Sequence, residues 1–590
     1  MIPERHSRSA GAPANLLASA LYAASLCLAA ASLPAADQPA QAPAVHAGCS
    51  ADNGGIALPP GFCATVFADN LGHARHMVVA PDGVVYVNTW SGIYYRDKPP
   101  PGGFLVALKD SHGAGRADVI RRFGDGVAEG SAGGTGIALY KGALYAEEND
   151  RIVRYRLSSK SIAPPGAPDV IVSGMPLGGD HPMHPFVIDA RGNLFVDMGS
   201  ATNSCQARNR MPQAPGISPC KELATRGGLW RFDANRTQQK FSAAQRYATG
   251  IRNGEGMSFD AGGRFFITQH GRDQLGENWP SLYAADVGHE LPAEELMLLE
   301  KGADYGWPSC YFDGLQKRLV LAPEYGGDGG HEVGVCAHKH APVAFFPAHW
   351  APNDLLIYNG QQFPPPYRGG AFIAFHGSWN RAPAPQAGYN VAFQPLRDGN
   401  ASGDYIVFAD GFAGAEKAPG RAAFRPTGLA MAPDGALFVD DDEHGRVWRI
   451  TYHGGDDVPV NALISARVTA PNAARDARRP VESLPLAPGV TREQLILGDH
   501  VFHGEASGGT CSGCHASDGK GSMVGRDLTS GRWLWGDGSV NAIAATIRQG
   551  VATAKESFGV MPPLGGAKLS PADVSAVAAY VWAIGQPTAH

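Results

Sequence analysis

A strand–turn–strand phrase recurs along most of this 590-residue chain. Each clear copy has a short apolar strand, a turn with Asp-Gly or an equivalent pair, and a second strand of β-branched or aromatic residues. The five clear copies span 77–87, 136–145, 186–196, 257–267 and 429–439, and a weaker one lies at 370–375. Glycine supplies the positive φ that such a hairpin turn needs. Six copies spaced by roughly 65 residues predict six four-stranded blades arranged around an axis, which is a β-propeller.

Composition agrees with a folded, mainly β chain. The 76 Gly and 45 Pro argue against a mostly helical protein, because both residues weaken helix interiors. Hydrophobic residues make up 44% of the chain, enough for a real core. The net charge is −6, without a basic patch, so we expect no nucleic-acid partner.

The first 36 residues have the order of a secretory signal. Arg5 and Arg8 precede an apolar stretch at 16–33, and Pro34-Ala35-Ala36 offers small residues for cleavage. An uncleaved membrane anchor is the alternative, although the stretch is rich in Ala. We expect a signal at 1–36, an N-terminal tail at 37–54, and a periplasmic or secreted protein that has no membrane span once the signal is removed.

Cysteine usage favours an oxidising compartment. Six Cys remain after the signal and the C-terminal motif are set aside, and six allow fifteen connectivities. They fall into sequence-local pairs, so we expect the bridges Cys49–Cys63, Cys205–Cys220 and Cys310–Cys336. A bridge restricts the unfolded loop that it closes, which suits Gly- and Pro-rich segments with little core of their own.

The repeats end near residue 453, and the rest of the chain changes character. A stretch at 454–490 is rich in Ala, Pro and Arg, a composition that is typical of a linker. From 491 to 590 the apolar spacing is helical, and Ser570-Pro571 is a good helix start. The predicted architecture is therefore an all-β six-bladed propeller at 55–453 followed by a small all-α domain.

The helical domain contains Cys511-Ser-Gly-Cys514-His515. Two Cys three positions apart can each form a thioether to a haem vinyl group, and the adjacent His can bind the iron, so the motif indicates covalent haem c. A zinc half-site or a redox dithiol are the alternatives, but zinc needs a second ligand pair and the dithiol needs a βαβ context.

The second axial ligand is predicted from the segment Gly559-Val-Met561-Pro-Pro563. A thioether held by prolines is a good sixth ligand, and Met/His ligation raises the reduction potential. Met523 competes, but it follows His515 by too few residues to cross the haem easily. The segment 491–586 resembles a class I cytochrome c, which moves single electrons and therefore needs an upstream donor.

The propeller loops hold many polar side chains that could form a site. Histidines recur at His181, His184, His270, His349 and His376, and loop histidines on a rigid scaffold indicate a site, although a single one is more often structural. The carboxylates of Asp273, Glu294 and Glu295 could serve a hard, oxygen-ligated cation such as calcium, and Glu295 is the candidate ligand we retain. Ordinary loop acids are the alternative.

Six short motifs carry a family resemblance over about 58–452. They are Gly250-Ile-Arg-Asn253, Gly271-Arg-Asp273, Glu294-Glu-Leu296, Asp304-Tyr-Gly-Trp-Pro308, His376-Gly-Ser-Trp-Asn-Arg381 and Arg425-Pro-Thr-Gly428. Together they resemble the glucose/sorbosone dehydrogenase family, whose members are six-bladed propellers that use pyrroloquinoline quinone (PQQ). The resemblance implies sugar oxidation with PQQ and calcium.

The resemblance also implies roles for individual residues. His181 falls on the family's catalytic base, whereas His184 falls where the family has no catalytic group. Arg252 and Asn253 fall on residues that contact quinone and substrate. Further positions implied as cofactor contacts are the carbonyls of Gly271 and Arg272 for calcium and the side chains of Trp379, Arg381 and Arg425 for the quinone.

Three departures from the glucose-oxidising members place the chain nearer the sorbosone-type branch. Ser200 stands where those members support the base with an acid, Arg272 stands in place of Pro, and a quinone-binding Lys is absent near Ser378-Trp379. The leading hypothesis is a dehydrogenase for a sugar or a related polyol, aldehyde or lactol. It would pass electrons through haem to a soluble cytochrome or a membrane oxidase. The alternatives are a carbohydrate- or protein-binding propeller with an electron-transfer haem, and a metal-dependent lactonase.

Overall fold

The computed structural model of the chain describes residues 49–89, 100–124, 134–381, 385–454, 479–507, 509, 511–515, 518–521, 525–552, 555 and 561–586. The predicted signal at 1–36, most of the tail, most of the linker at 454–490 and the competing ligand Met523 lie outside these residues. Among the residues that are described, no helix has both the length and the hydropathy needed to cross a membrane.

Six antiparallel blades of four strands form the propeller, as the repeats predict. The chain enters with β1 (Phe62–Ala68), which belongs to the last blade. The strands that follow in order are β2 (Ala74–Val79), β3 (Val85–Thr89), β4 (Leu105–Lys109) and β5 (Val119–Phe123) in blade one; β6 (Ile137–Tyr140), β7 (Ala143–Glu148), β8 (Arg151–Arg156) and β9 (Asp169–Ser173) in blade two; β10 (Phe186–Ile188), β11 (Asn193–Met198) and β12 (Gly228–Asp233) in blade three, then β13 (Gln239–Lys240), which pairs with β9, and β14 (Arg246–Thr249), which completes blade three.

The second half of the ring is built in the same way, with two insertions. Its strands are β15 (Met257–Phe259), β16 (Phe265–Gln269) and β17 (Glu294–Leu298) in blade four, the inserted hairpin β18 (Cys310–Asp313) and β19 (Arg318–Leu321), and β20 (Ala344–Phe346), which completes blade four; β21 (Pro352–Ile357), β22 (Ala371–Phe375) and β23 (Asn390–Gln394) in blade five, the short pair β24 (Leu396–Arg397) and β25 (Asn400–Ala401), and β26 (Ile406–Ala409), which completes blade five; and β27 (Pro426–Met431), β28 (Leu437–Asp441) and β29 (Val447–Tyr452) in blade six.

The ring closes by joining the two ends of the propeller sequence. β1 pairs antiparallel with β29, with Phe62 opposite Tyr452, so the N-terminal strand is the outermost strand of blade six. This closure gives blade six its fourth strand and joins the first strand of the propeller to the last.

The recurring phrase corresponds to the first two strands of each blade. Its five turn glycines, at positions 83, 142, 192, 263 and 435, have φ between 70° and 88°, a region that glycine adopts without steric cost. In the weaker copy, residues 358–370 separate β21 from β22, so an insertion obscures the phrase although the blade is regular.

Hydrophobic clusters between neighbouring blades hold the ring together. Six such clusters follow one another around it, including one that joins blade six to blade one through Phe67, Val87 and Phe438. Because each sheet buries both faces against its neighbours, the blades fix one another's positions. The three predicted disulfides, Cys49–Cys63, Cys205–Cys220 and Cys310–Cys336, are all formed.

Among the described residues, four α-helices build the C-terminal domain, and two short ones lie in the loop between β16 and β17 of the propeller. The short ones are α1 (Leu275–Asn278) and α2 (Ala285–Gly288), and the C-terminal ones are α3 (Arg492–Phe502), α4 (Cys511–His515), α5 (Val540–Gln549) and α6 (Pro571–Ile584). Ser570 and Asp573 form a reciprocal capping box at the start of α6. α3 crosses α6 closely at Gly498, where a Cβ atom would lie 2.1 Å from the carbonyl oxygen of Ala576.

Candidate functional site

The candidate residues of the propeller lie at one end of the ring. In an antiparallel blade, the start of the first strand and the end of the second meet at the same end. The loops that lead into β10, β15, β21 and β27 carry His181, Arg252, His349 and Arg425, and the loops that leave β11, β16 and β22 carry Ser200, Asp273 and Trp379. The first strands of neighbouring blades contact each other all around the ring. Loops distant in sequence therefore converge on one end of the central axis.

His181 is buried and held in a single orientation by Ser200. Its Nδ1 lies 2.9 Å from the carbonyl oxygen of Ser200 and 3.0 Å from the hydroxyl oxygen. The Ser200 hydroxyl donates its own hydrogen to the carbonyl of Thr202 at 2.7 Å, so both oxygens act as acceptors toward the ring. Nδ1 therefore carries the proton, and Nε2 is the basic nitrogen of the neutral ring.

The surroundings of His181 keep the ring neutral. Burial lowers its pKa well below 6.5, and the positive charges of Arg252 and Arg210 lower it further. A neutral imidazole with a free lone pair on Nε2 can accept a proton.

His184 has a different environment from His181, although only two residues separate them. It is 1% exposed, with Nδ1 at 3.1 Å from a carboxylate oxygen of Glu147 and Nε2 at 3.0 Å from the carbonyl of Pro176. Glu147 also accepts the backbone N–H of His184 at 2.8 Å. Both ring nitrogens are thus engaged, and His184 connects blade two to the loop that carries His181.

The other loop histidines also make hydrogen bonds within the scaffold. Nε2 of His270 lies 3.0 Å from the carbonyl of Pro352, and Nε2 of His376 lies 2.7 Å from a carboxylate oxygen of Asp442. Burial lowers the pKa of His270 to about 3 and those of His349 and His376 to about 4. These groups stay uncharged at neutral pH.

Asp273 is the centre of a buried ion-pair cluster beside His181. It pairs with Arg210 at 2.9 Å and with Arg252 at 2.8 Å. Burial alone would raise the pKa of Asp273, but these two arginines hold that pKa well below its usual value. Arg210 also pairs with Asp180, the neighbour of His181, at 2.9 Å. The cluster therefore stays charged and ties the loop of His181 to that of Arg252.

The guanidinium of Arg252 is held by four hydrogen bonds. Its guanidinium donates to the backbone carbonyl and the side-chain oxygen of Asn203, to the carbonyl of Gly271 and to Asp273, over 2.8–3.0 Å. The adjacent Asn253 is also buried, and its amide lies 3.4 Å from Glu255. A cation fixed in this way can oppose negative charge that develops beside it without reorganising.

Arg425 and Arg381, two of the predicted quinone contacts, bind to different parts of the loops. Arg425 donates to the carbonyls of His376 and Gly377 at 3.1 and 2.9 Å and lies over the ring of Tyr389. Arg381 donates to the carbonyls of three loop residues and pairs with Glu290 at 2.5 Å. Arg381 therefore braces the loops around it, and its predicted contact with the quinone stays a prediction.

The residues predicted to bind calcium differ in the hydrogen bonds and ion pairs that they already make. The carbonyl of Gly271 accepts from Arg252, and the Arg272 side chain pairs with Glu324 at 2.5 Å. Glu295 accepts from Gln269 at 2.9 Å, while its other oxygen is buried without a hydrogen-bond partner among the described residues. Burial raises the pKa of Glu295 to about 8. An orphaned buried oxygen fits an oxygen-ligated cation, and calcium remains a prediction.

In the C-terminal domain the predicted haem residues surround one cavity. Cys511, Cys514, His515 and Met561 all contribute to its walls, and Phe502, Leu528, Ile543, Ile547, Val577 and Val581 make those walls apolar. Nδ1 of His515 lies 2.9 Å from the carbonyl of Arg526, an arrangement in which Nε2 is the nitrogen that would bind a metal. Two thiols, an imidazole and a thioether around an apolar cavity fit a covalently attached haem.

The propeller supplies part of the same cavity. Four propeller residues also line it. Gln274 precedes α1 and Glu277 lies within it, and Trp379 and Asn380 lie in the loop after β22. A Cβ atom at Gly566 of the helical domain would lie 3.3 Å from Cβ of Glu277. The haem cavity thus opens directly onto the end of the propeller that carries His181 and Arg252.

Several residues of the site could not be predicted from the sequence. Arg210, Asn203 and Glu324 join the cluster from distant positions, and no motif marks them. Arg210 lies inside the loop closed by Cys205–Cys220, which is the one local sign that this segment is held in place. Asp273 is visible in the sequence, but as a candidate cation ligand rather than as the partner of two arginines.

Comparison with known proteins agrees with this division of the chain. Residues 56–453 match the TrAA12-like family, and residues 505–581 match the family described as cytochrome c oxidase, cbb3-type, subunit III. The chain is 27% identical over 208 residues to an uncharacterized protein of Borreliella burgdorferi, and 27% identical over 241 residues to a pyrroloquinoline quinone-dependent pyranose dehydrogenase of Coprinopsis cinerea. Each match covers 35% of this chain, and they cover 48% and 31% of the two relatives, respectively.

Solved structures share the propeller fold. An iodide structure of the Trichoderma reesei carbohydrate-active enzyme of family AA12 superposes with a TM-score of 0.53 at 18% identity, covering 70% of this chain and all of that one. The holo form of the PQQ domain of pyranose dehydrogenase from Coprinopsis cinerea gives 0.52 at 19% identity, covering 67% and 97%. At these identities the likeness concerns the fold.

Proposed function

Because this chain belongs to the TrAA12-like family over residues 56–453 and carries a cytochrome c domain behind its propeller, we propose that it is an exported dehydrogenase that oxidises a sugar with PQQ and passes the electrons to its own haem c. The family match confirms the resemblance to PQQ-dependent sugar dehydrogenases and supports an electron-transfer oxidoreductase. A pyranose is the first substrate to test, because the relative from Coprinopsis cinerea is a pyranose dehydrogenase.

One observation carries the proposal above all. The cavity that holds the haem-attachment cysteines is lined on one side by Trp379 and Asn380 of the propeller, and Asn380 hydrogen-bonds Asp273, the partner of Arg252. A binding propeller with an unrelated haem would not need its polar site beside the haem. An electron donor to that haem needs this proximity.

His181 is proposed as the base that takes the hydroxyl proton of the sugar. Ser200 fixes its proton on Nδ1, so Nε2 can accept, and burial lowers its pKa so that the ring is neutral when substrate arrives. Loss of the hydroxyl proton makes it easier for the carbon to release a hydride. PQQ, when bound, supplies the acceptor for that hydride.

Arg252 is proposed to stabilise the negative charge that accumulates as the cofactor is reduced. Its four hydrogen bonds, one of them the ion pair with Asp273, fix the guanidinium before the reaction, so no reorganisation is needed. Asn253, Trp379, Arg381 and Arg425 are proposed cofactor contacts. The carbonyls of Gly271 and Arg272, with Glu295, are proposed to hold a calcium ion, which would act as a Lewis acid.

In the helical domain, Cys511 and Cys514 are proposed to attach the haem, and His515 and Met561 to bind its iron. The electrons then leave for an external acceptor, a soluble cytochrome or a membrane oxidase. Three disulfides support export to the periplasm or the medium, since such bonds persist in oxidising compartments.

The test is haem reduction driven by sugar. The full chain is loaded with PQQ and calcium, a panel of pyranoses and related aldehydes is added without oxygen, and the haem α-band is followed. We expect at least one sugar to reduce the haem in the loaded protein and none without PQQ. Sugar binding without haem reduction would favour a binding propeller, and hydrolysis of a lactone without any redox change would favour a lactonase.

A further inference from the structure

The wall that the propeller contributes to the haem cavity contains one aromatic side chain. Of its four residues, Gln274, Glu277 and Asn380 are polar, and Trp379 is the only one with a π-system. Trp379 is half-buried and lines the cavity.

The same ring contacts the charged cluster of the propeller site. The guanidinium of Arg210 lies 6.0 Å from the centre of the Trp379 ring, a distance at which a cation is attracted to an aromatic face. Arg210 pairs with Asp273, which pairs with Arg252. Trp379 therefore lies near the cluster around Arg252 and also lines the haem cavity.

A neighbouring hydrogen bond holds this segment in place. The side-chain amide of Asn380 donates to Asp273 at 2.8 Å, so the residue next to Trp379 is fixed to the same carboxylate that holds Arg210 and Arg252. Asp273 therefore fixes both Arg210 and Asn380, the two neighbours of Trp379, and this favours a single position of the Trp379 ring.

We propose that Trp379 is the contact through which electrons cross from the propeller site to the haem. The inference rests on the proposed function and names the route within it. An aromatic side chain that lies near the charged cluster and lines the haem cavity offers electrons a shorter gap to cross than solvent alone would.

The electron balance sets what the route must carry. Oxidation of one CH–OH group to a carbonyl releases two electrons and two protons. The haem holds one electron at a time, so two successive single-electron transfers pass the contact. An external one-electron acceptor reoxidises the haem between them, and both protons leave to solvent.

The experiment compares Trp379→Leu with Trp379→Phe in the full chain loaded with PQQ, calcium and haem. Two rates are measured with a pyranose: haem reduction in stopped flow, and reduction of a dye that takes electrons directly from the propeller site. The reported quantity is their ratio, because a change in cofactor binding lowers both rates together. Trp379→Leu should lower the ratio by about tenfold or more, and Trp379→Phe should lower it much less, because it retains an aromatic ring.

Trp350→Leu is the matched control. Trp350 is half-buried in the same blade and packs against Phe375 and Tyr405, but it does not line the haem cavity, and its variant should keep the ratio of the parent protein. An unchanged ratio in Trp379→Leu, or equal ratios in the Leu and Phe variants, would overturn the route.

A second readout needs no substrate. Circular dichroism in the Soret band reports aromatic rings packed beside a haem, and Trp379→Leu should change that band while Trp350→Leu does not. If no sugar reduces even the dye, the proposed function fails, and the route is then tested in reverse by flash photoreduction of the haem and measurement of electron transfer to PQQ. A slower reverse transfer in Trp379→Leu supports the route, and an unchanged rate rejects it.

Discussion

Ser200 holds Nδ1 of His181 with both its carbonyl oxygen and its hydroxyl oxygen, at 2.9 and 3.0 Å. A carboxylate stands at this position in the glucose-oxidising enzymes that the sequence resembles, and here two neutral acceptors replace it. The orientation of the His181 ring is therefore kept without a charge that would favour the imidazolium form.

The first prediction separates the two histidines of this loop. His181→Ala should keep the haem spectrum and lower sugar-driven haem reduction by about 10² or more, the scale of a lost general base. His184→Ala should retain turnover per folded molecule but unfold more easily, by about 1–3 kcal/mol, because it removes the hydrogen bonds of the buried ring to Glu147 and to the carbonyl of Pro176. Stopped-flow kinetics and thermal unfolding of both variants provide the measurements. Greater dependence of turnover on His184 than on His181 would reverse the assignment.

The second prediction concerns pH. The pKa of His181 lies well below 6.5 because of burial and nearby arginines, so the base stays unprotonated as pH falls through 6.5. The acid limb of kcat/KM should therefore lie below pH 6.5. Ser200→Asp places a negative charge beside Nδ1, favours the protonated ring, and should move that limb to higher pH. Ser200→Ala retains the carbonyl acceptor and should leave the limb in place. A limb at the same pH in Ser200→Asp would show that another group controls it.

The third prediction concerns the haem iron. Met561→Ala should remove the near-infrared band of sulfur–iron ligation and lower the reduction potential, since a thioether ligand raises it. The haem should stay attached under denaturing conditions, because Cys511 and Cys514 are intact. A variant that lacks both cysteines should lose haem on denaturation. An unchanged near-infrared band in Met561→Ala would mean that another residue is the sixth ligand of the iron.

The fourth prediction tests the state of Glu295. Burial raises its pKa to about 8 from 4.5, so the folded chain binds this proton more tightly than the unfolded chain does. Its contribution to the free energy of unfolding is complete below pH 4.5 and is lost as pH rises through 8. Without calcium, Glu295→Gln should therefore gain stability relative to the parent protein between pH 5 and 8. Saturating calcium should stabilise the parent protein and remove that gain if Glu295 binds the ion. Equal pH dependence of parent and variant without calcium would contradict the raised pKa.

The fifth prediction concerns the crossing of α3 and α6. A Cβ atom at Gly498 would lie 2.1 Å from the backbone carbonyl of Ala576, so Gly498→Val should destabilise the helical domain by about 1–3 kcal/mol or more. Leu497→Val changes a partly exposed neighbour on α3 and should cost little. Calorimetry should show the haem-bearing transition at lower temperature only in the Gly498 variant, with the propeller transition unmoved. Equal effects of the two changes would mean that the helices do not depend on this close approach.

Local features of the sequence were sufficient to predict much of the fold. Turn glycines between short apolar strands predict hairpins, and all five clear copies are the first two strands of blades. Neighbouring cysteines form the predicted bridges, and the Ser570 cap begins the last helix. These features depend on residues close in the chain, where backbone conformation and short loops limit the outcomes.

Longer-range relationships depended on the closed ring. The pairing of β1 with β29, the cluster of Arg210, Asp273 and Arg252, and the place of Trp379 at the haem cavity join residues that are 21 to hundreds of positions apart. No local pattern specifies them, because each arises when packing between blades brings loop ends to one end of the axis. The sequence by itself determined the blades, the bridges and the haem motif, whereas only the tertiary structure decided which buried charges meet and which propeller residues face the haem.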